Sequence, residues 1–381
     1  MSRYLFCRCW RSHGQMTIQP QLRRYSKQGS SSISQERIYI LGVGNLGKFV
    51  AHGLSNLSPQ PPVTLLLHRP GLVADWEACG RCIERIADGV GDKATGLDAE
   101  LVGAEAPPAE QHEGAAKPIK NLVLATKTYM TPKALASIKD RLDKSSNIIF
   151  LQNGMGTTDE VSAAFFPDPA SRPTYWAGIC TTGIYSTTPF SFVLAGPGKM
   201  TIGPVSSSDE SSLGTSYMVQ SMLRAKDLVA SPVSAAEIQR AQLLKLVVNA
   251  MANPLTAIFR CKNGDLFVHE ARLHLMKALL EEAAPIIRAL LPARYQGDDA
   301  FSDDRLLELV LDVTEKTAKN TTSMLQDIQA GRQTEIDYIN GYIVRKGKDL
   351  GLPCSKNALL VDLVKQRRVI DNEGIRVFYS Q

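Results

Sequence analysis

The chain has 381 residues, 44% of them apolar and 21% charged, which is typical of a folded globular protein. No run approaches the about 18 consecutive apolar residues of a membrane span, so membrane insertion is not expected. The formal net charge is +5, but five arginines and no acid precede Ser26, so loss of that segment would leave a neutral chain. The basic charge therefore gives no support to a nucleic-acid-binding surface.

Residues 1–35 differ in composition from everything that follows. They are rich in Arg and Ser, and the first acid of the chain is Glu36. This pattern is typical of a mitochondrial transit peptide, and the tract Arg23–Ser26 resembles a matrix-protease site. A disordered basic tail and a chloroplast leader are the alternatives. We therefore expect residues 1–35 to be a transit peptide with its linker, and the mature protein to lie in the mitochondrial matrix.

Strand and helix signals alternate after the leader, which indicates a parallel sheet. A strand is predicted directly before Gly42, and further strands and a helix are predicted at 63–67, 121–125, 132–142 (the helix) and 147–151. The segment 105–117 is rich in Ala, Pro and Glu and is read as an exposed loop or insertion. Cys79 and Cys82 form a lone CxxC pair, and with no second pair at zinc-ribbon spacing we expect no metal site.

Helical patterns dominate from about residue 234 onward. They are predicted at 235–252, 266–290, 303–320, 335–350 and 356–372. The fold class is therefore α/β plus all-α, with a Rossmann-type dinucleotide-binding domain at 36–232 and an all-helical substrate domain at 233–381.

The first strand runs directly into a GxGxxG motif made of Gly42, Val43, Gly44, Asn45, Leu46 and Gly47. The first glycine permits the tight turn, the second lets the backbone approach a pyrophosphate, and the third allows close packing of helix on strand. A helix N-terminus then offers free N–H groups to the phosphates. A strand before the motif and a helix after it are the context that dinucleotide binding requires; a glycine turn without a cofactor is the alternative.

The end of the second strand indicates which dinucleotide is bound. NAD enzymes usually have an acid there for the ribose 2′-hydroxyl, whereas this chain has Arg69, which suits a 2′-phosphate. We therefore predict NADP(H), against the alternative that Arg69 is a solvated surface residue. Lys127 and Asn153 follow the next two strands, and ligands bind beyond the carboxyl ends of parallel strands. Both residues are therefore candidates for the place where cofactor and substrate meet.

Lys245, Asn249 and Asn253 recur at a spacing of four inside an apolar run. On a helix this spacing places the three side chains on one face. Buried polar groups without partners cost free energy, so a stripe of one cation and two amides predicts a proton donor and two hydrogen-bonding groups lining a cleft. A polar stripe that faces water is the alternative.

A second unusual stretch runs from Ser323 to Gly341. With it the chain resembles the ketopantoate reductase (2-dehydropantoate 2-reductase) family. The matching blocks stand in the family's order and are GVGNLG at 42–47, QNGMGT at 152–157, KLVVNAMANPLTA at 245–257, NGDL at 263–266 and SMLQDIQAGRQTEIDYINGYIV at 323–344. From pattern alone, Glu335 could equally be a residue that starts a helix.

The resemblance implies a role for each matched position. Lys245 is the general acid that protonates the ketone oxygen, and Glu335 is the acidic residue that orients substrate. The amides Asn249 and Asn253 hold the substrate hydroxyl, Ser323 contacts its carboxylate, and Asn263 is a weaker substrate position. Asn153 lies near nicotinamide and substrate, and Lys127 and Arg69 contact the cofactor.

The function implied is NADPH-dependent reduction of ketopantoate to pantoate in pantothenate biosynthesis. A related NADP-dependent reductase of another small 2-keto acid is the first alternative. A non-catalytic mitochondrial protein on the same scaffold is the second, although Lys245, Glu335 and the glycines are all present. The expected partner is a small keto acid, not nucleic acid, and a homodimer is one possible assembly. The chain departs from the family in its leader and in a longer segment between about 80 and 120.

Overall fold

The computed structural model describes residues 36–103, 117–186 and 188–379. The predicted leader, 1–35, and nearly all of the predicted loop 105–117 lie outside the described residues. The fold class predicted from the sequence is confirmed: the strands of two sheets all fall within residues 38–232, and long helices follow from residue 235.

The larger sheet has eight strands in the order β12-β11-β8-β7-β6-β1-β2-β5. Its strands are β1 (Ile38–Leu41), β2 (Val63–Leu67), β5 (Asp98–Leu101), β6 (Asn121–Leu124), β7 (Asn147–Phe150), β8 (Thr174–Cys180), β11 (Met200–Pro204) and β12 (Ala230–Pro232). Neighbouring helices are α1 (Asn45–Ser55), α2 (Pro70–Ala78), α3 (Thr131–Ala136), α4 (Thr157–Phe165) and α5 (Tyr217–Arg224). The four strands predicted from apolar runs are all present.

The strand register brings the predicted cofactor segments together. β1 pairs in parallel with β2 and with β6, and β6 pairs in parallel with β7. Leu41, Leu124 and Phe150 are aligned across these strands, so the segments that follow them leave the sheet at one edge. From β1 the strands follow one another to β2 and β5 on one side, and the chain then crosses to β6, β7 and β8 on the other. The strand order therefore reverses at β1, which is where open α/β sheets bind ligands.

A smaller four-stranded sheet, in the order β4-β3-β10-β9, was not predicted. Its strands are β3 (Ile83–Ala87), β4 (Val90–Ala94), β9 (Gly183–Tyr185) and β10 (Ser191–Gly196). Most side chains of β3 and β4 are exposed or only partly buried, so these strands lack the apolar runs that mark the larger sheet. One face of an antiparallel ribbon can face water, which explains the weak sequence signal.

The helical half is built around one long central helix. Its helices are α6 (Ala235–Phe259), α7 (Glu270–Ala289), α8 (Asp303–Lys316), α9 (Ser323–Gln329), α10 (Asn340–Leu350) and α11 (Ser355–Lys365). Fully buried residues of α6, among them Leu243 and Val247, belong to one core cluster with residues of α7 through α11. No helix among the described residues is long and apolar enough to cross a membrane.

Helix α6 runs to Phe259, through Pro254, so the predicted end at residue 252 is wrong. Proline has no N–H and leaves the carbonyl four residues earlier without its helical partner. That carbonyl belongs to Ala250, and the buried side chain of Asn340 donates to it from 3.0 Å. A contact from α10 therefore replaces the missing bond, and α6 keeps its regular spacing beyond Lys245.

Candidate active site

The GxGxxG turn has the shape that a dinucleotide pyrophosphate requires. Gly42 has φ +99°, and a Cβ there would lie 2.4 Å from the backbone nitrogen of Thr126. A Cβ on Gly47 would lie 2.1 Å from the Gly42 oxygen, whereas at Gly44 the nearest atom would be 4.0 Å away. The turn thus packs tightly against the segment after β6 at Gly42 and against the helix at Gly47, and leaves space at Gly44.

Gly44 is also the N-cap of α1, and no side chain caps this helix. The N–H groups of the first turn are therefore available to an anion, and the residues present fit a bound dinucleotide. The side chains of Val43 and Leu46 pack against the sheet core. The Asn45 amide donates to the Ile184 carbonyl at 3.2 Å, so only its backbone is directed to a phosphate.

Arg69 follows β2, is exposed, and is the N-cap of α2. Burial lowers the pKa of the neighbouring His68, and the positive charges of Arg69 and Lys133 lower it further. The carboxyl end of β2 is thus cationic, and the first acid after it in the chain is Asp75.

The predicted stripe forms one face of α6 and is anchored at its first residue. The Lys245 ammonium donates to the carbonyl of Cys180, the last residue of β8, at 3.1 Å. Burial lowers the pKa of Lys245, while the side chains of Cys180 and Glu335 act in the opposite direction. No carboxylate of the described chain lies close enough to form an ion pair with this ammonium, which therefore has donor capacity left for a ligand.

Asn249 and Asn253 lie one and two turns farther along the same face. Asn253 is buried and Asn249 is partly buried. Neither side-chain amide has a hydrogen bond to another described residue, and neither is sealed off from solvent. Amides in this state are suited to hold a ligand hydroxyl or carboxylate, which favours a binding stripe over a merely solvated face.

Glu335 is 5% exposed and joins the two halves of the protein. Its Oε1 accepts hydrogen bonds from the backbone N–H and the hydroxyl of Thr128, at 3.1 and 2.7 Å. Its Oε2 accepts from the Asn153 amide at 3.5 Å. Glu335 does precede a short 3-10 turn, Ile336–Tyr338, but its side chain does not cap it. The carboxylate is therefore held at the sheet edge that carries the cofactor turn.

The Lys127 ammonium, predicted to contact the cofactor, pairs with acids of the helical half. Its nitrogen lies 2.6 Å from Asp327 and 3.6 Å from Glu335. Burial lowers the pKa of Lys127, but these two negative charges outweigh that effect and the net pKa is raised. Asp327, 2% exposed and also bound by Arg332 at 2.9 Å, is a candidate site residue that the sequence prediction missed.

The remaining two predicted residues lie near the end of α6. Ser323 is the exposed first residue of α9. The preceding Thr322 exchanges a hydrogen bond of 2.7 Å with Thr256 of α6, which holds Ser323 beside the Asn253 end of the stripe. Asn263 is buried and donates to Thr317 at 2.8 Å, so its amide nitrogen already serves the fold.

The structure therefore places Lys245 and the two stripe amides on one face of α6, with Ser323 held near the Asn253 end. Glu335, bonded to Asn153, lies close enough for its charge to raise the pKa of Lys245, while Asn263 is bonded to Thr317. No group of three or more His, Cys, Asp or Glu among the described residues could hold a metal ion. The thiols of Cys79 and Cys82 each donate to a backbone carbonyl at 3.1 Å. These residues offer the Lys245 ammonium, the Glu335 carboxylate with its partner Lys127, and several amides. This set is suited to bind a small keto acid and to protonate its ketone oxygen.

Comparisons with known proteins agree with this geometry. The family model "Ketopantoate reductase PanE/ApbA" matches residues 38–207, and its C-terminal counterpart matches residues 237–368. A "Probable 2-dehydropantoate 2-reductase" from Schizosaccharomyces pombe is 30% identical, over 87% of this chain and 96% of its own length. A "Ketoisovalerate reductase BEA2" from Gibberella fujikuroi is 28% identical, over 88% of this chain and 84% of its own.

The fold also matches solved structures. A ternary structure of D-mandelate dehydrogenase with NADH and anilino(oxo)acetate has a TM-score of 0.70 at 21% identity, covering 89% of this chain and 99% of its own. At this identity the likeness concerns the fold alone. The two family models together cover most of the described residues, in the order in which the cofactor turn and the lysine stripe occur. The chain belongs to the ketopantoate reductase family.

Proposed function

We propose that this protein reduces 2-dehydropantoate (ketopantoate) to pantoate with NADPH, as an oxidoreductase acting on CH–OH groups. The observation that carries the proposal is the Lys245 ammonium, which forms no ion pair with a described carboxylate. It shares one helix face with two amides that bond no other described residue. A relative named as a 2-dehydropantoate 2-reductase matches nearly its whole length to this chain. A direct test is oxidation of NADPH by the purified protein with ketopantoate; no turnover would reject the proposal.

The reaction adds a hydride, supplied by bound nicotinamide, to a keto carbon and a proton to its oxygen. Negative charge develops on that oxygen, and a nearby ammonium both stabilises it and supplies the proton. Lys245 performs this task, and burial assists it by making the ammonium a stronger acid than an exposed lysine. The Cys180 carbonyl, at 3.1 Å, fixes the direction of the ammonium.

The other polar groups hold the substrate. The stripe amides of Asn249 and Asn253 suit a hydroxyl, which both donates and accepts hydrogen bonds. Ser323, exposed beside the end of the stripe, donates to the carboxylate. Glu335 and Asn153, already hydrogen-bonded to each other at 3.5 Å, fix the substrate against the cofactor half.

NADPH is the proposed cofactor because the end of β2 carries Arg69, with Lys133 and His68 close by and no acid before Asp75. Since a guanidinium suits the 2′-phosphate that distinguishes NADPH from NADH, we expect NADPH to bind at least about tenfold more tightly. Arg69→Ala should weaken NADPH while leaving NADH unchanged. Fluorescence titration with both cofactors measures this; equal affinity of the wild-type protein for the two would contradict the assignment.

A related 2-keto acid is the second candidate substrate. A relative named as a ketoisovalerate reductase is 28% identical over 88% of this chain. Ketoisovalerate lacks the hydroxyl of ketopantoate, so the two functions differ in what the stripe amides contact. A pocket that hydrogen-bonds a hydroxyl discriminates strongly against a substrate that lacks it. The free amides of Asn249 and Asn253 therefore favour ketopantoate.

We also propose a cellular location, a division into domains and a class of partner. The composition of residues 1–35 supports delivery to the mitochondrial matrix, with residues 36–232 as the cofactor domain and 233–381 as the substrate domain. We expect a small-molecule partner and no nucleic-acid surface, and a homodimer is compatible with the proposal.

A further inference from the structure

The side chain of Lys48 is buried, and its charge is not balanced by any acid. Lys48 follows Gly47 in α1 and is 1% exposed. Its ammonium donates to the Ser186 hydroxyl at 2.5 Å and to the carbonyls of Thr188 and Ser191 at 3.2 and 2.7 Å. All three partners are neutral, and no carboxylate of the described chain forms an ion pair with Lys48.

This arrangement is unfavourable for the protein alone. A buried cation without a counter-charge is costly even when it is hydrogen-bonded. The position of Lys48 adds to this free-energy cost, because a positive charge near a helix N-terminus opposes the helix dipole. Burial accordingly lowers the pKa of Lys48 to about 8.

The charged groups nearest to α1 serve other partners. His52, one turn beyond Lys48, lies 3.4 Å from Asp92, and Arg85 bridges Asp92 and Asp227 at 3.0 Å each. Glu84 and Lys93, on the same two strands, act on the Cys82 thiol. Burial lowers the pKa of Lys48, and none of the described acids forms an ion pair with its ammonium.

A short chain of hydrogen bonds connects Lys48 with the cofactor turn. The Ser186 hydroxyl, which accepts from Lys48, also bonds the side-chain oxygen of Asn45. The other end of the Asn45 amide donates to the Ile184 carbonyl. Ser186, which directly follows β9, is thereby bonded to the first turn of α1, the turn whose N–H groups are free for phosphates.

We propose that Lys48 is a positioning residue for the dinucleotide pyrophosphate. Its ammonium holds Ser186 and Thr188 beside α1, and the bound phosphates supply the negative charge that the described residues do not. The inference rests on the dinucleotide binding of the proposed function. It adds that a dinucleotide bound at the GxGxxG turn favours the protonated form of Lys48.

The consequence is a coupling between cofactor binding and proton uptake. Without phosphates the pKa of Lys48 is about 8, so above that pH most molecules carry it neutral. Nearby phosphates raise the pKa, so binding at pH 8.5 takes up a proton at this position. By linkage the affinity for the cofactor falls as the pH rises above about 8.

Isothermal titration of the whole protein with NADPH at pH 8.5, in two buffers of different ionisation enthalpy, measures the protons taken up. We expect the wild-type protein to take up about half a proton or more per cofactor through Lys48. Lys48→Met should lose this uptake and bind NADPH at least about tenfold more weakly. Lys48→Arg, which stays protonated at this pH, should bind without the uptake.

Two controls test whether the proton uptake comes from Lys48. Lys245→Met should retain the Lys48 contribution, which separates it from titration of the other buried lysine. If Lys48→Met does not fold, as shown by its melting temperature, the wild-type and Lys48→Arg proteins decide. Equal proton uptake in wild-type and Lys48→Arg proteins would overturn the inference alone. Failure of the wild-type protein to bind either NADPH or NADH would overturn the proposed function with it.

Discussion

Replacing Lys245 by Ala should lower kcat with ketopantoate by at least about a hundredfold while NADPH still binds. Lys245 supplies the positive charge of the α6 stripe, and its bond to the Cys180 carbonyl fixes the position of the ammonium. Without it the developing oxyanion loses its assigned proton donor and the positive charge that stabilises it. Single-turnover kinetics with titrated NADPH binding separates this loss from a loss of cofactor.

A matched control is available on the next helix. Lys277 is an exposed lysine of α7, and Lys277→Ala should turn over like the wild-type protein. Near-normal kcat in Lys245→Ala would reject the assigned role. The wild-type rate should also fall as the pH rises through the pKa of Lys245, which burial lowers from its ordinary value. The sign follows because only the protonated form is an acid.

Glu335→Gln should reduce kcat/KM by about tenfold to a hundredfold with little loss of folding stability. Glutamine keeps the size and one of the acceptors for Thr128 but removes the negative charge that acts on Lys127 and Lys245. Loss of that charge lowers the pKa of Lys245 further, so the alkaline fall of the rate should begin at a lower pH than in the wild-type protein.

The pH profile distinguishes this electrostatic role from a merely structural one. Asp337→Asn is the matched control, because Asp337 lies two residues away and pairs with the partly exposed Lys365 at 3.0 Å. We expect the control to keep the wild-type profile. An unshifted profile in Glu335→Gln, with unchanged kcat/KM, would show that Glu335 does not act on the reaction.

The cofactor turn and the lysine stripe could be predicted because each depends on local sequence. A strand before GxGxxG specifies the turn, and the spacing of four from Lys245 specifies one helix face. From the local sequence, Pro254 predicts that the helix ends before it. The helix continues because Asn340, 90 positions from Ala250, donates to the free Ala250 carbonyl. Local patterns contain no information about such a partner.

The missed residues share this dependence on distant contacts. In the local sequence Asp327 is one polar residue of an amphipathic helix. Its proposed role depends on its contact with Lys127, 200 residues earlier in the chain. The sequence around Lys48 predicts an ordinary helix. Lys48 is buried because residues of the small sheet and its connection cover it, and the sequence predicts that sheet poorly because β3 and β4 have little apolar character. The resemblance to a known family supplied the role of Glu335, which its own pattern left ambiguous.

The most direct test of the account is the rate of NADPH oxidation with ketopantoate beside 2-ketoisovalerate and pyruvate, at equal enzyme concentration. Because the free amides of Asn249 and Asn253 are suited to the hydroxyl of ketopantoate, we predict that its kcat/KM exceeds that of 2-ketoisovalerate by about a hundredfold or more. The same preference should largely disappear in Asn253→Leu. Equal rates for the three acids, or a preference for 2-ketoisovalerate, would contradict the account.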